Sequence, residues 1–199
     1  MEETLEVLFE SIISQIIEGG YGVLDHFLSE EEIEALNKSL ETHYKAQEFK
    51  QAGISKDQSI VKAIRGDEIL WLEKETANPI EAIFLQRLEQ FMEYLNQTCY
   101  LGLRSYEIHY ASYPIGAFYK IHLDKFRNDS GRILSFICYL NQDWKEDNGG
   151  ELVLHLPDRK EVILPLGGRL AVFESDKIEH EVLPATRERR SLTGWLRNI

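Results

Sequence analysis

The stretch FYKIHLD, Phe118 to Asp124, sets how this chain is read. It is a short run of aromatic and aliphatic residues ending in polar ones, which is the pattern of a strand. Successive strand side chains point to opposite faces, so His122 and Asp124 project together while Leu123 points away. The pair is either two ligands for one ion or two solvated polar groups, and the spacing alone does not separate these readings. The residues around it do.

From about Arg104 onward the same pattern recurs in YEIHYASY, FYKIHLD, ILSFICYL, ELVLHL, EVILPL, RLAVF, HEVLPA and SLTGWLR, separated by Gly, Pro, Asn and Asp. No crossover helices lie between these eight runs, so residues 101–199 predict a jelly roll or barrel and not a parallel βαβ sheet. DNGG, Asp147 to Gly150, suits a tight hairpin connection. Residues 1–100 read as helices and short strands that support this half. Leu5, Leu8, Phe9, Ile12, Ile13, Ile16 and Ile17 form one apolar helix face that ends before Gly19-Gly20. YGVLDHFL then reads as a strand, and Ser29 with Glu32 is a capping box that opens a helix through about Tyr44. Asn78-Pro79 with Glu81 starts another helix, whose core face is Ile83, Phe84, Leu88, Phe91 and Leu95. Between them, QAGISKDQSIVKAIRGDEILWL is a polar segment running into a strand with alternating Ile69 and Trp71, with a loop over about 47–67.

A chain of 199 residues with 43% apolar content fits one domain with a real core. Its 34 acidic and 22 basic side chains leave a net charge of -12, which repels nucleic-acid phosphates and anionic lipid heads. Neither nucleic acid nor membrane is therefore an expected partner. Basic residues gather late, at Arg187, Arg189, Arg190 and Arg197, where an anion can be held locally. Cys99 and Cys138 stand far apart in apolar surroundings and read as free thiols. With neither a signal-peptide pattern at the start nor an apolar run long enough to cross a bilayer, the expected compartment is the reducing cytosol.

Two histidines and one carboxylate on one face of an iron(II) ion leave the other positions open for a chelating cosubstrate and dioxygen. His26, His43, His109, His155 and His180 are the candidates for the second histidine, and only His180 lies on a late strand at a jelly-roll separation from the HxD. The other four read as ordinary surface or core residues, and Trp71 and Trp144 as packing. A dicarboxylate cosubstrate on such an ion has a distal carboxylate left to satisfy, and a planar guanidinium meets it with two parallel hydrogen bonds. RERRSLTGW supplies one: Arg189, Ser191, Thr193 and Trp195 alternate onto one face, with Arg190 on the other.

HxD at 122 to 124, His180, and R-x-S at 189 to 191 in a β-rich half resemble the iron(II) and 2-oxoglutarate dependent dioxygenases. YPIGAFYKIHLD, RILSFICYLNQDW, GGEL, HEVLP, RRSLTGW and, most specifically, RGDEILW at Arg65 to Trp71 are similar to prolyl 4-hydroxylases of the oxygen-sensing type and their bacterial relatives. The resemblance runs from roughly Ile60 to the C-terminus, and more weakly through GYGVLDHFLSEEE. One departure is that YPIGAFY is a residue shorter than the pattern of the animal enzymes.

The resemblance implies an α+β, mainly β fold with a double-stranded β-helix (jelly roll) core and N-terminal supporting helices. It implies His122, Asp124 and His180 as the iron(II) ligands and catalytic centre, and Arg189, Tyr139, Tyr113, Thr193, Trp195 and Leu152 around 2-oxoglutarate. It places Arg65, Asp67, Arg132 and Tyr119 on the substrate side, with the Gln51 to Ser59 region as a loop that closes over a target peptide. The implied activity is hydroxylation of a protein prolyl residue, with iron(II), 2-oxoglutarate and dioxygen, ascorbate as reductant, and succinate and CO2 as coproducts. The implied partner is a flexible loop of another protein, a translation factor in bacterial relatives.

Two other readings compete. The same chemistry can act on a small molecule or free amino acid, against which RGDEILW and the long loop before it argue. A non-catalytic jelly roll can hold a metal or a dicarboxylate without turnover, against which an open metal shell and the presence of Arg189 argue.

Overall fold

Both capping boxes form where the sequence writes them. In the computed structural model, described over residues 4–52, 64–124 and 131–199, the Ser29 hydroxyl accepts from the Glu32 amide at 3.2 Å and the Glu32 carboxylate accepts from the Ser29 amide at 2.9 Å. Helix α2 (Glu30–Lys45) starts there. Asn78 and Glu81 repeat the arrangement at the start of α3 (Pro79–Cys99). The first helix, α1 (Leu5–Gly19), ends at Gly20 in the left-handed conformation, φ 78°. Its buried residues Phe9, Ile12 and Ile13 pack toward α3, where Phe9 meets Phe91 with ring centroids 5.0 Å apart. One core-face expectation fails: Ile83 is 49% exposed, and Leu85 takes its place against the body of the protein.

All eight C-terminal runs are strands: β4 (Ser105–Tyr113), β5 (Tyr119–His122), β6 (Arg132–Tyr139), β7 (Leu152–His155), β8 (Lys160–Ile163), β9 (Leu170–Glu174), β10 (Glu179–Val182) and β11 (Arg189–Arg197). With β1 (Tyr21–Leu24), β2 (Lys50–Gln51) and β3 (Glu68–Trp71) they form two antiparallel sheets. The major sheet has the order β1-β9-β6-β11-β4-β3-β2 and the minor sheet β5-β10-β7-β8. They face each other as a jelly roll. The outer face of the major sheet is covered by the helices through Tyr110, Phe136, Cys138, Val172, Leu192 and Leu196. Its inner face meets the minor sheet through Tyr139, Phe173, Leu152, Leu154 and Val182.

Two turns depart from expectation. YGVLDHFL is a strand only through Leu24, because His26 adopts φ 59° and turns the chain before Phe27 and Leu28 are buried. DNGG is no hairpin. Glu146–Asn148 is a 3₁₀ turn, and Gly149 and Gly150 follow in positive φ, 68° and 74°. β6 already has β9 and β11 as neighbours, so the chain must leave the major sheet here and cross to β7 in the minor one. A Cβ on Gly149 would lie 2.6 Å from the Pro184 carbonyl oxygen.

Leu192 is fully buried on the central strand between sheet and helices, whereas Ile83 faces outward. Leu192→Ala is expected to lower the unfolding free energy by about 2–5 kcal/mol in urea titrations. Ile83→Ala is expected to change it by no more than about 0.5 kcal/mol.

Candidate metal centre and its pocket

His122 and His180 are register partners across β5 and β10, with ring centroids 4.2 Å apart. Strand β5 ends at His122, so Asp124 sits just beyond the regular strand, yet its carboxylate still reaches both rings. Oδ1 lies 3.4 Å from His122 Nε2 and Oδ2 lies 3.5 Å from His180 Nε2. One ligand atom from each of the three residues lies within 4.8 Å of the other two, and this is the cluster among the described residues that can hold a metal ion. Each histidine gives Nδ1 to a backbone carbonyl, Lys120 at 2.7 Å and Ile178 at 3.2 Å, which leaves Nε2 for a metal. Burial alone would raise the Asp124 carboxyl. The charges of His180 and His122, with hydrogen bonds from His122 and Ser135, outweigh it and hold the group well below the usual carboxylate range. Burial lowers His180 to about 4. Ser135 donates to Asp124 Oδ2 at 2.7 Å and meets Ser175 at 2.9 Å, so the carboxylate is oriented from behind.

This cluster opens into a cavity of about 160 Å³ between the sheets. The floor is the inner face of the major sheet, where register aligns side chains in rows. Tyr113 pairs with Arg189, Ala111 with Ser191 and Tyr139, His109 with Thr193 and Ile137, and Glu107 with Trp195 and Ser135. Arg189 thus stands at one end of the floor and Ser135, beneath the metal cluster, at the other. Arg189 is 2% exposed and donates from Nε to the Gly150 carbonyl at 2.9 Å. Its guanidinium lies 5.0 Å over both the Tyr113 and Tyr139 rings. Its Nη2 and the Tyr139 hydroxyl are buried with no hydrogen-bond partner among the described residues. Burial raises the Tyr139 phenol, so it keeps its proton and can donate. Arg190 faces outward, to Glu188 at 2.8 Å and Glu41 at 3.3 Å.

Leu152, Thr193 and Trp195 all line the cavity, as do Tyr113, Tyr119, Arg65 and Arg132. Asp67 lies behind Arg65 and accepts from its Nε at 2.6 Å, with a second contact from Nη2 to Oδ2. Arg65 in turn lies 4.5 Å over Tyr119, whose ring stacks on His122 at 3.5 Å. Arg132 packs over Trp195 at 3.5 Å and donates to Glu107 at 2.7 Å and to the Asp124 carbonyl at 3.1 Å. The Gln51 to Ser59 region falls mostly on 53–63, outside the described residues. The lining residues that the sequence reading does not assign to the site include Ser135, His109 and Trp71, the last 45% exposed. Their signal is positional, in the odd-numbered alternation that places them on the face of Arg189 and Thr193.

The model of the 2OG-Fe(II) oxygenase superfamily matches residues 108–197. A prolyl-4-hydroxylase from Pseudomonas putida is 36% identical, with a TM-score of 0.87 over 96% of this chain and 99% of that one. The chain belongs to the 2-oxoglutarate and iron(II) dependent oxygenase superfamily. A prolyl hydroxylase from Trichoplax adhaerens, solved with a hypoxia inducible factor oxygen degradation domain peptide fragment, is 26% identical with a TM-score of 0.88, over 100% of this chain and 94% of that one. Egl nine homolog 1 of Homo sapiens is 29% identical over 96% of this chain. The chain spans about half the length of such curated relatives, 47% of the human one and 50% of the mouse one.

The residues present fit the superfamily's iron(II) and 2-oxoglutarate. Two imidazole Nε2 atoms and one carboxylate match a metal with open positions, and the unpaired Nη2 of Arg189 with the Tyr139 hydroxyl match a carboxylate. His122→Ala is expected to abolish tight Mn(II) binding in isothermal titration calorimetry. Ser135→Ala, which removes the hydrogen bond behind Asp124 together with the contact to Ser175 and leaves all three ligands in place, is expected to weaken it about tenfold.

Proposed function

We propose that this chain is a prolyl 4-hydroxylase that uses iron(II), 2-oxoglutarate and dioxygen to modify a prolyl residue of a protein. The observation that carries the reading is the convergence, in one cavity, of an open His-Asp-His cluster and a buried arginine with an unpaired nitrogen. The named activities of the Pseudomonas putida and Trichoplax adhaerens proteins, each alike over nearly the whole chain, support prolyl hydroxylation in particular. The peptide in the Trichoplax complex supports a protein as the substrate.

In this reading His122, Asp124 and His180 hold the iron. Their Nδ1 bonds to Lys120 and Ile178 fix the rings, and Ser135 fixes the carboxylate. Arg189 and Tyr139 bind the distal carboxylate of 2-oxoglutarate, Tyr113 stacks under the guanidinium, and Leu152, Thr193 and Trp195 shape the space between. When bound together, iron, cosubstrate and dioxygen supply the oxidation, which puts one oxygen atom into a C–H bond and releases succinate and CO2. Tyr119 and the Arg65–Asp67 pair form one side of the mouth, and Arg132 with Trp195 the other. Burial pushes the Tyr119 phenol to about 12, so it stays a neutral donor beside the substrate. The chain acts as a single catalytic domain over 1–199, with the jelly-roll core over 101–199. The partner is a flexible loop of another protein, with a translation factor as one candidate, and ascorbate serves as reductant. Cys99 and Cys138, both free, suit the cytosol, and no helix among the described residues is long and apolar enough to cross a membrane.

Purified protein given iron(II), 2-oxoglutarate and a cell extract is expected to form succinate and to add one oxygen atom to a proline of an extract protein, read by mass spectrometry. His122→Ala is expected to lose both. Succinate with no modified protein would reject the protein substrate in favour of a small molecule, and no succinate at all would reject the oxygenase.

A further inference from the structure

We infer that His109 is a positioning residue for the keto acid end of 2-oxoglutarate, which it holds by a hydrogen bond from its imidazole. The inference rests on the function proposed above and adds a residue to it. His109 lies on the inner face of β4, in the row of the floor that it shares with Trp71, Thr193 and Ile137. Toward one end come Ala111 and then Tyr113 beside Arg189; toward the other come Trp195 and Ser135, the latter bonded to Asp124. Rows two residues apart are spaced roughly 7 Å along the strands. His109 therefore stands between the carboxylate anchor and the metal ligands, where the other end of an anchored dicarboxylate must pass.

Its chemistry is unusual for that place. The ring is wedged between Trp71 and Trp195, at centroid distances of 4.8 and 5.6 Å, and the residue is 3% exposed. Nδ1 is buried with no hydrogen-bond partner among the described residues. The nearest hydroxyl in its row, that of Thr193, already lies 3.1 Å from the Ser191 hydroxyl, and the next residue inward on its face is Ala111. Burial pushes the imidazole down to about 3, so near neutral pH it carries no charge and offers one N–H. A core histidine normally finds a partner for a buried nitrogen. This one shares its unpaired state with Arg189 Nη2 and the Tyr139 hydroxyl on the same floor. A ligand that spans the floor pairs all three, with the neutral donor meeting the carboxylate at the metal end.

The test is an oxygen-free titration of 2-oxoglutarate into Mn(II)-loaded protein, read by calorimetry. His109→Leu keeps bulk and removes the donor, while His109→Asn keeps an N–H near the Nδ1 position. Leu is expected to weaken 2-oxoglutarate about tenfold and Asn to stay within about threefold of the wild type, with Mn(II) affinity and thermal midpoint unchanged in both. Leu binding as well as the wild type overturns the inference, and so do Leu and Asn equally weakened with lowered midpoints, which mark a packing role. A wild type that binds Mn(II) but no 2-oxoglutarate overturns the proposed function, and the role of His109 with it.

Discussion

A guanidinium cannot shed its proton, so burying one costs on the order of several kcal/mol unless its nitrogens and charge are met. Arg189 is buried almost completely and only partly met. Gly150 accepts from Nε, and the faces of Tyr113 and Tyr139 cover the charge, but Nη2 finds nothing among the described residues. The surrounding structure makes that position tenable. Arg189 begins β11, the middle strand of the major sheet, with β4 and β6 bonded along either side. Arg189 pairs with Tyr113 of β4, and β6 is bonded to β11 from Ser191 on, so the backbone that carries the arginine is held in place. Under the proposed function that cost is kept until the distal carboxylate of 2-oxoglutarate enters, which is how preorganised sites gain affinity.

The same constraint explains why the site needs two sheets. Arg189, the proposed carboxylate anchor, belongs to the major sheet, and the two histidines belong to the minor one, as register partners on β5 and β10. Asp124 joins them, because its oxygens meet both imidazoles while Ser135 of the major sheet holds it from behind. The helices cover the outer face of the major sheet, so that its inner face can carry Arg189, His109 and Trp195 in place of a purely apolar core.

Much of this is legible in the sequence, and the failures have physical causes. Alternation in RRSLTGW sorts Arg189 from Arg190 because β11 is regular through that span, and both strand faces are occupied as the period demands. Ser29 with Glu32 and Asn78 with Glu81 mark helix starts because capping is a local interaction. Ile83 is misplaced because a helix repeat of 3.6 residues lets neighbouring positions share a stripe, and only packing decides that Leu85 is the buried one. DNGG misleads because glycine permits left-handed backbone in a sheet-to-sheet crossing as well as in a hairpin. His109 and Ser135 stay hidden because their meaning lies in which residues stand opposite them on β11 and β6, a long-range register that one strand does not record.

In the proposed function the His-Asp-His cluster and Arg189 read opposite ends of one molecule. Addition of 2-oxoglutarate to the iron(II)-loaded protein without oxygen tests it directly, because chelation by the keto acid gives a visible charge-transfer absorption. That absorption is expected in the wild type, is expected to be lost in His180→Ala, and is expected to return in Arg189→Met only at much higher 2-oxoglutarate. No absorption with all three ligands intact, or a dependence on 2-oxoglutarate that ignores Arg189, would contradict this reading.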